Sequence, residues 1–175
     1  MTPLRSAVAL FLIFFAASAA HAQTRSSTGN GPAGAVEFSA GYAGFVDDAT
    51  IEHGLLGIGS RWYLGPRLSI GPEVVYMKGP GDDRDLFLTG NVTWDLLGSY
   101  GRARRVIPFI VGGAGLMQHR DRFGSQNFTS NEGAFTAGGG ARVRLNDRVF
   151  VAGDARIGWE LHYRIAGTVG VSFGR

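Results

Sequence analysis

Eight stretches of about ten residues alternate between apolar side chains and small or polar ones, and together they occupy most of this 175-residue chain. A period of two is typical of a β-strand whose two faces meet different surroundings. Ten residues is also the length that a tilted strand needs to cross a lipid bilayer. We therefore predict an all-β fold, an eight-stranded antiparallel up-and-down transmembrane β-barrel, over residues 35–175. The apolar faces of the eight stretches begin at Val36, Leu56, Leu68, Leu86, Ile107, Phe135, Val149 and Tyr163.

The composition favours strands over helices and excludes several classes of protein. The chain has 28 glycines, which weaken helices by roughly 1 kcal/mol each. It has no cysteine, so disulfides and thiolate metal sites are excluded. The net charge is only +3 and the arginines are scattered, apart from a small cluster at Arg102, Arg104 and Arg105. No nucleic-acid partner and no cofactor are therefore expected.

The first residues predict export. Arg5 precedes the apolar run Val8–Phe15, and Ala20-His21-Ala22 is a small-x-small cleavage site. We predict a signal peptide over residues 1–22, because the run is too short to span a bilayer. Residues 23–34 are rich in Ser, Thr and Gly and are predicted to be a flexible periplasmic lead-in.

The connections between the stretches are predicted to alternate in length. Gly65-Pro66-Arg67 and Asn146-Asp147-Arg148 are typical of tight turns, whereas 118–132 is predicted to be a long polar loop. The connection around 160–162 is short. Short turns at one end and longer loops at the other are the pattern of outer-membrane barrels, which places this chain in the bacterial cell outer membrane.

Aromatic residues on the apolar face are predicted to form two girdles at the membrane interfaces. If both termini are periplasmic, the aromatic residues sort by height into two groups of five. Such bands are expected in a membrane barrel, because aromatic rings favour the headgroup zone. The periplasmic girdle is predicted to contain Phe38, Trp62, Trp94, Phe109 and Phe173, and the external girdle Tyr42, Tyr76, Phe135, Trp159 and Tyr163.

The opposite face carries charges that must share a narrow lumen. Four acids and four bases are placed there: Glu37, Glu73, Asp95, Asp154, Arg61, Arg142, Arg144 and Arg156. The register of the tight turns makes Arg61–Glu73 and Arg142–Asp154 diagonal neighbours. An unpaired buried charge is costly, so we predict lumen ion pairs that plug the barrel. A gated polar path is the alternative interpretation.

Three segments resemble the OmpA-like family of small outer-membrane barrels. They are the fifth-stretch motif over 105–115, Gly138-Gly139-Gly140-Ala141-Arg142, and the closing Val169-Gly170-Val171-Ser172-Phe173. The resemblance implies the barrel architecture from about Ala35 onward. It also implies contact with outer-membrane lipid and lipopolysaccharide, and with the barrel-assembly machinery during insertion. Barrels of this family usually end in phenylalanine, which that machinery reads, whereas here Gly174-Arg175 follow Phe173.

The expected function is a structural, anchoring or surface-recognition role of a monomer, not catalysis. The alternatives are a lipid A-modifying outer-membrane enzyme and a narrow channel or carrier for a small solute. His162-Tyr163 resembles the His-Tyr-Ser stretch of lipid A deacylases, but Arg164 stands at the serine position. His119, Asp121 and Ser125 are a second possible catalytic set.

Metal binding is considered for the predicted external rim and is not expected. His53, His119 and His162 lie near that rim, and scattered histidines are more often incidental than metal ligands. The external loops also carry acids that could bridge divalent cations to lipopolysaccharide, although ordinary solvation of loop tips is the favoured interpretation. These acids are Asp47, Asp48, Glu52, Asp82, Asp83 and Asp85.

Overall fold

The computed structural model describes residues 32–46, 50–97, 105–123 and 126–174. The predicted signal peptide, almost all of the lead-in, Asp47, Asp48 and Ser125 lie outside these residues, as do Arg102 and Arg104. The described residues form a closed antiparallel barrel in which each strand pairs with the next and β8 pairs with β1. The strands are β1 Gly34–Val46, β2 Thr50–Tyr63, β3 Leu68–Lys78, β4 Arg84–Asp95, β5 Val106–Phe123, β6 Gln126–Arg144, β7 Val149–Gly158 and β8 His162–Phe173. The predicted fold class, an eight-stranded up-and-down barrel, is confirmed.

The barrel has two different ends. The turn end holds both described termini and the β2–β3 and β6–β7 turns. In the second of these turns Asn146 Oδ1 accepts the backbone N–H groups of Arg148 and Val149, each at 2.8 Å. Side-chain closure of this kind is why Asn begins so many turns. The predicted tight turns are therefore present.

The opposite end, called the hairpin end below, corrects one prediction. Residues 118–132 do not form a loop, because β5 runs to Phe123 and β6 starts at Gln126. Their pairing continues without interruption out to Phe123 and Gln126, so a two-stranded hairpin projects beyond the neighbouring strands. The short connection between β7 and β8 is confirmed as a single 3₁₀ turn, Trp159–Leu161. Glu160 and Leu161 have φ values of 55° and 42°, which is uncommon for residues other than glycine.

The outer face of the barrel is a continuous apolar surface. Leu56, Val92, Ile157 and Ile165 are each more than half exposed. In the part of the chain that the structure describes, no helix is long and apolar enough to cross a membrane. The wide exposure of branched apolar side chains is what a strand-built membrane surface requires. A water-soluble barrel of this size would not leave such an area uncovered.

Nine of the ten predicted girdle aromatics lie at outward-facing positions. Tyr42 and Tyr163 pack together near the hairpin end with ring centroids 6.1 Å apart, as do Phe135 and Trp159 at 5.9 Å. At the other end, three aromatic residues lie close to the turn-end limits of their strands: Trp62, Trp94 and Phe173. Tyr76 lies on the outer face near the hairpin end. Phe38 lies farther along the barrel wall, where it pairs with Ile58 and Val169.

Phe109 corrects the girdle prediction. Its side chain is 4% exposed and faces the lumen, together with Ile107 and Val111, so the predicted face of β5 is wrong. Val106, Ile110 and Leu116 occupy the outer face instead. Both faces of this stretch are apolar, and alternation alone could not separate them.

Candidate functional site

The lumen is closed near the turn end by an arginine between two aromatic rings. The Arg142 guanidinium lies 5.4 Å from the ring centroid of Phe109 and 5.2 Å from that of Phe150. Its Nη1 donates to Asp95 Oδ2 at 3.3 Å, and both side chains are almost completely buried. Stacking of this kind stabilises a desolvated cation that one carboxylate only partly satisfies.

The middle of the lumen is organised around Glu73. Arg164 Nη2 donates to its Oε1 at 2.7 Å, and Arg156 Nη1 donates to its Oε2 at 3.0 Å. Asn91 Nδ2 also donates to Oε2, at 2.9 Å. Arg156 Nε reaches a second carboxylate, Asp154 Oδ1, at 2.7 Å. Because β3, β4, β7 and β8 all contribute, these contacts cross the lumen and tie opposite walls together.

The predicted lumen residues are therefore brought together, but in different pairs. Arg61 Nε donates to Glu37 at 2.8 Å and not to Glu73, and its guanidinium also lies 5.7 Å from the Phe109 ring centroid. Arg142 pairs with Asp95 and not with Asp154. Arg144 is half-buried near the turn end of β6. Arg164 was not expected in the lumen, although its even number on β8 placed it with the inward-facing residues.

Little free space remains within this network. A cavity of about 30 Å³ borders Glu37, Glu73, Asn91 and Asp154, which is room for a water molecule or two. Glycines allow the large side chains to approach the wall. A Cβ on Gly113 would lie 2.0 Å from Asn91 Oδ1, and one on Gly170 would lie 2.0 Å from the Phe150 ring.

Above the charges, toward the hairpin end, the lumen is filled by an apolar cluster that the sequence reasoning missed. It contains Ala43, Leu55, Val75, Met77, Phe87, Met117, Ala134 and Ala166, with Phe45 packed against it. The inward alternation of these residues was readable in the sequence.

The mouth of the lumen at the hairpin end holds two histidines and two aspartates. His53 Nε2 lies 2.9 Å from Asp83 Oδ2 and 3.3 Å from Asp85 Oδ2. His119 Nδ1 lies 2.7 Å from Asp85 Oδ1 and 3.7 Å from Asp83 Oδ1. The two carboxylates thus separate the two rings. We call these four residues the mouth cluster.

The mouth cluster lies beside a cavity of about 520 Å³ that Phe45, Ile51 and Glu160 also line. Burial lowers the pKa of His119. Its hydrogen bond to Asp85 and the charge of that carboxylate together raise the pKa by more than burial lowers it, so the net shift is upward. Burial raises the pKa of Glu160, and the nearby charge of Glu132 adds to that rise.

The position suggested by the deacylase resemblance holds an ion pair. His162 is 1% exposed, with its ring 5.0 Å from that of Phe45 and 5.2 Å from that of Phe87. Arg164, at the serine position of that pattern, forms an ion pair with Glu73. His119, from the second possible catalytic set, contacts Asp85. Among the loop acids, Asp83 and Asp85 turn into the mouth, whereas Glu52 accepts a hydrogen bond from Tyr42 on the outside at 3.3 Å.

Fold and lumen together define a small transmembrane-type β-barrel with a filled interior. No protein family profile and no curated protein sequence matches this chain. Solved structures do match it, and several of them are small outer-membrane barrels. Neisserial surface protein A (NspA) has a TM-score of 0.70 at 12% identity, covering 81% of this chain and 97% of that one.

Two further solved structures share the architecture. The N-terminal β-barrel domain of Pseudomonas aeruginosa OprF has a TM-score of 0.64 at 12% identity, covering 82% of this chain and all of that one. The outer membrane enzyme PagL has a TM-score of 0.51 at 17% identity, covering 78% of this chain and 98% of that one. These likenesses show the OmpA-like barrel fold, which proteins of different roles share.

Proposed function

We propose that this protein is a structural or surface-recognition barrel of the bacterial outer membrane, with its lumen closed to solutes. The observation that supports this best is the ion-pair network around Glu73, which joins opposite walls of the barrel. A channel needs a continuous water path, and an eight-stranded barrel has no room for both a water column and these side chains.

The outer surface supports the location. Exposed apolar residues surround the barrel between the two aromatic rims, which suits the hydrocarbon layer and the headgroup zones beside it. In this arrangement the hairpin end faces the cell exterior and the turn end faces the periplasm. The surrounding partners are outer-membrane lipid and lipopolysaccharide, with the barrel-assembly machinery acting during insertion.

The projecting β5–β6 hairpin is the element best placed for recognition. It extends several residue pairs beyond the neighbouring strands, out to the Phe123–Gln126 pair. Phe128 on this hairpin is 55% exposed, well away from the lipid-facing belt. Exposed aromatic residues are common anchors for protein partners.

Single-cysteine labelling tests the location and orientation, since the chain has no cysteine of its own. A membrane-impermeant maleimide should label Thr129→Cys on intact cells. The matched control, Asp147→Cys in the β6–β7 turn, should be labelled only after the outer membrane is permeabilised. Labelling of Asp147→Cys alone on intact cells would reverse the orientation, and recovery of both variants outside the envelope would contradict the proposal.

A complementation experiment separates the structural role from recognition. A strain lacking the gene should become sensitive to detergents if the barrel supports the membrane itself. A variant with a shortened β5–β6 hairpin should restore detergent resistance under the structural role. Loss of cell-surface binding in that same variant, with resistance intact, would assign the hairpin to recognition.

A further inference from the structure

The mouth cluster combines donor atoms from three strands and one connection. His53 comes from β2, Asp85 from β4, His119 from β5 and Asp83 from the turn before β4. One ligand atom from each of His53, Asp83 and Asp85 lies within 4.8 Å of the other two. We propose that these three side chains bind a divalent transition-metal ion, with Zn²⁺ as the best match, and that His119 is a positioning residue.

The position of His53 supports the site. Its Nε2 lies 2.9 and 3.3 Å from carboxylate oxygens of Asp83 and Asp85, so three atoms of the kind that bind metal ions lie together. Its other ring nitrogen, Nδ1, lies 3.2 Å from the backbone oxygen of Ile51. Contact of the second ring nitrogen with a backbone carbonyl is how metal-bound histidines are usually oriented.

The spacing of the donor atoms suits a tetrahedral ion. Zinc binds nitrogen and oxygen at about 2.0–2.2 Å, so adjacent ligand atoms of a tetrahedron are about 3.3–3.6 Å apart. The distance from His53 Nε2 to Asp85 Oδ2, 3.3 Å, matches this spacing, and the distance to Asp83 Oδ2, 2.9 Å, is somewhat shorter. Small side-chain adjustments therefore suffice to place an ion among the three atoms.

The local backbone is built to bring Asp83 inward. A four-residue turn is closed by the Asp83 N–H donating to Pro80 O at 3.2 Å, with Gly81 at φ 62°. A Cβ on Gly79 would lie 2.5 Å from His53 Nε2 and 2.6 Å from Asp83 Oδ2, so only glycine leaves these two groups free to meet. Asp83 Oδ1 is buried without a hydrogen-bond partner.

His119 fixes the carboxylates from the other side. It contacts Asp85 Oδ1, which leaves Oδ2 turned toward His53. A ring that holds the second oxygen of a ligating carboxylate sets the direction of the first, and loss of such partners typically weakens metal binding 10–100-fold. The adjoining cavity leaves space for a water molecule or another ligand to complete the coordination.

The donor set favours zinc over the alkaline-earth ions. Calcium and magnesium prefer sites composed entirely of oxygen, whereas imidazole suits zinc and its neighbours. A zinc ion here would join β2, the β3–β4 turn and β4 at the mouth of the lumen. This inference does not depend on the role proposed for the whole barrel.

Metal titration of the refolded, chelator-treated barrel in detergent tests the site. Isothermal titration with Zn²⁺ should show one site per chain, and Co²⁺ should give the intensified visible absorption of a tetrahedral complex. His53→Ala and Asp85→Asn should each weaken Zn²⁺ binding at least about 100-fold, and His119→Ala about 10–100-fold. Gly79→Ala should also weaken binding, through steric displacement of His53 and Asp83.

Asp82→Asn is the matched control, because Asp82 is the neighbouring acid, is about half exposed and pairs with Arg84. It should bind Zn²⁺ like the unmodified protein. Heat-dependent migration on gels verifies folding, and His53→Gln replaces any ligand variant that fails to fold. The proposal is overturned if the folded unmodified protein binds no Zn²⁺, or if the ligand variants and Asp82→Asn bind it equally. A cluster held together by protons alone would give the first of these results.

Discussion

Removing the charge of Glu73 should strongly destabilise the barrel. In Glu73→Gln, Arg164 loses the carboxylate that its Nη2 contacts at 2.7 Å, whereas Arg156 keeps Asp154. Only the guanidinium of Arg164 is therefore left buried without a carboxylate partner. Breaking a buried ion pair by removing one partner costs about 3–5 kcal/mol, so that is the expected loss in the free energy of unfolding.

The reverse change should cost less. In Arg164→Met, Glu73 keeps Arg156 and Asn91 as donors, so only about 1–3 kcal/mol is expected. The double variant should be more stable than the sum of the two losses predicts, with a coupling of about 0.5–3 kcal/mol. The exposed Asp82–Arg84 pair supplies the control cycle, where coupling below about 1 kcal/mol is expected.

Urea unfolding in lipid vesicles, followed by tryptophan fluorescence, measures these differences. Trp62, Trp94 and Trp159 all occupy outward-facing positions, so their emission reports on their departure from lipid. A loss below about 1 kcal/mol for Glu73→Gln, or additive effects in the double variant, would refute the interpretation of the lumen as a coupled network.

Two other predictions concern the membrane and export. Val92→Arg places a charge on the lipid-facing belt and should cost about 2–4 kcal/mol in the same unfolding assay. Thr89 faces the lumen, so Thr89→Arg should act through packing and charge balance. The penalty of Thr89→Arg should therefore change when Glu73 is substituted, whereas that of Val92→Arg should not. Envelope-purified protein should begin at Gln23 by mass spectrometry, and an intact Met1 in that fraction would disprove the predicted cleavage site.

The barrel was predictable from sequence because seven of the eight stretches have faces of clearly different character. A slip of one residue would exchange the faces, so the pattern fixes which side meets lipid. The predicted outward face of β5 was wrong because Ile107, Phe109 and Val111 alternate with residues that are equally apolar. Phe109 faces the lumen, where it stacks on Arg142, and nothing in the local sequence indicates that contact.

The sequence predicted which charges share the lumen, but it paired Arg61 and Arg142 with the wrong acids. Register from tight turns identifies neighbours on adjacent strands, such as Arg142 and Asp154, whereas the pairs that form include contacts across the lumen, such as Arg164 with Glu73. Which side chains meet across a barrel depends on its stagger and on side-chain length, and sequence spacing reports neither. The mouth cluster was missed for the same reason, since His53, Asp83 and His119 lie on separate parts of the chain.

Planar-bilayer recording tests the closed lumen most directly. The unmodified protein, inserted and verified as folded, should give no steady single-channel current, because the Glu73 network, the Arg142 layer and the apolar cluster fill the lumen. Glu73→Gln should increase brief, irregular openings if that network holds the walls together. Steady, large single-channel currents from the unmodified protein would contradict the account and favour a channel.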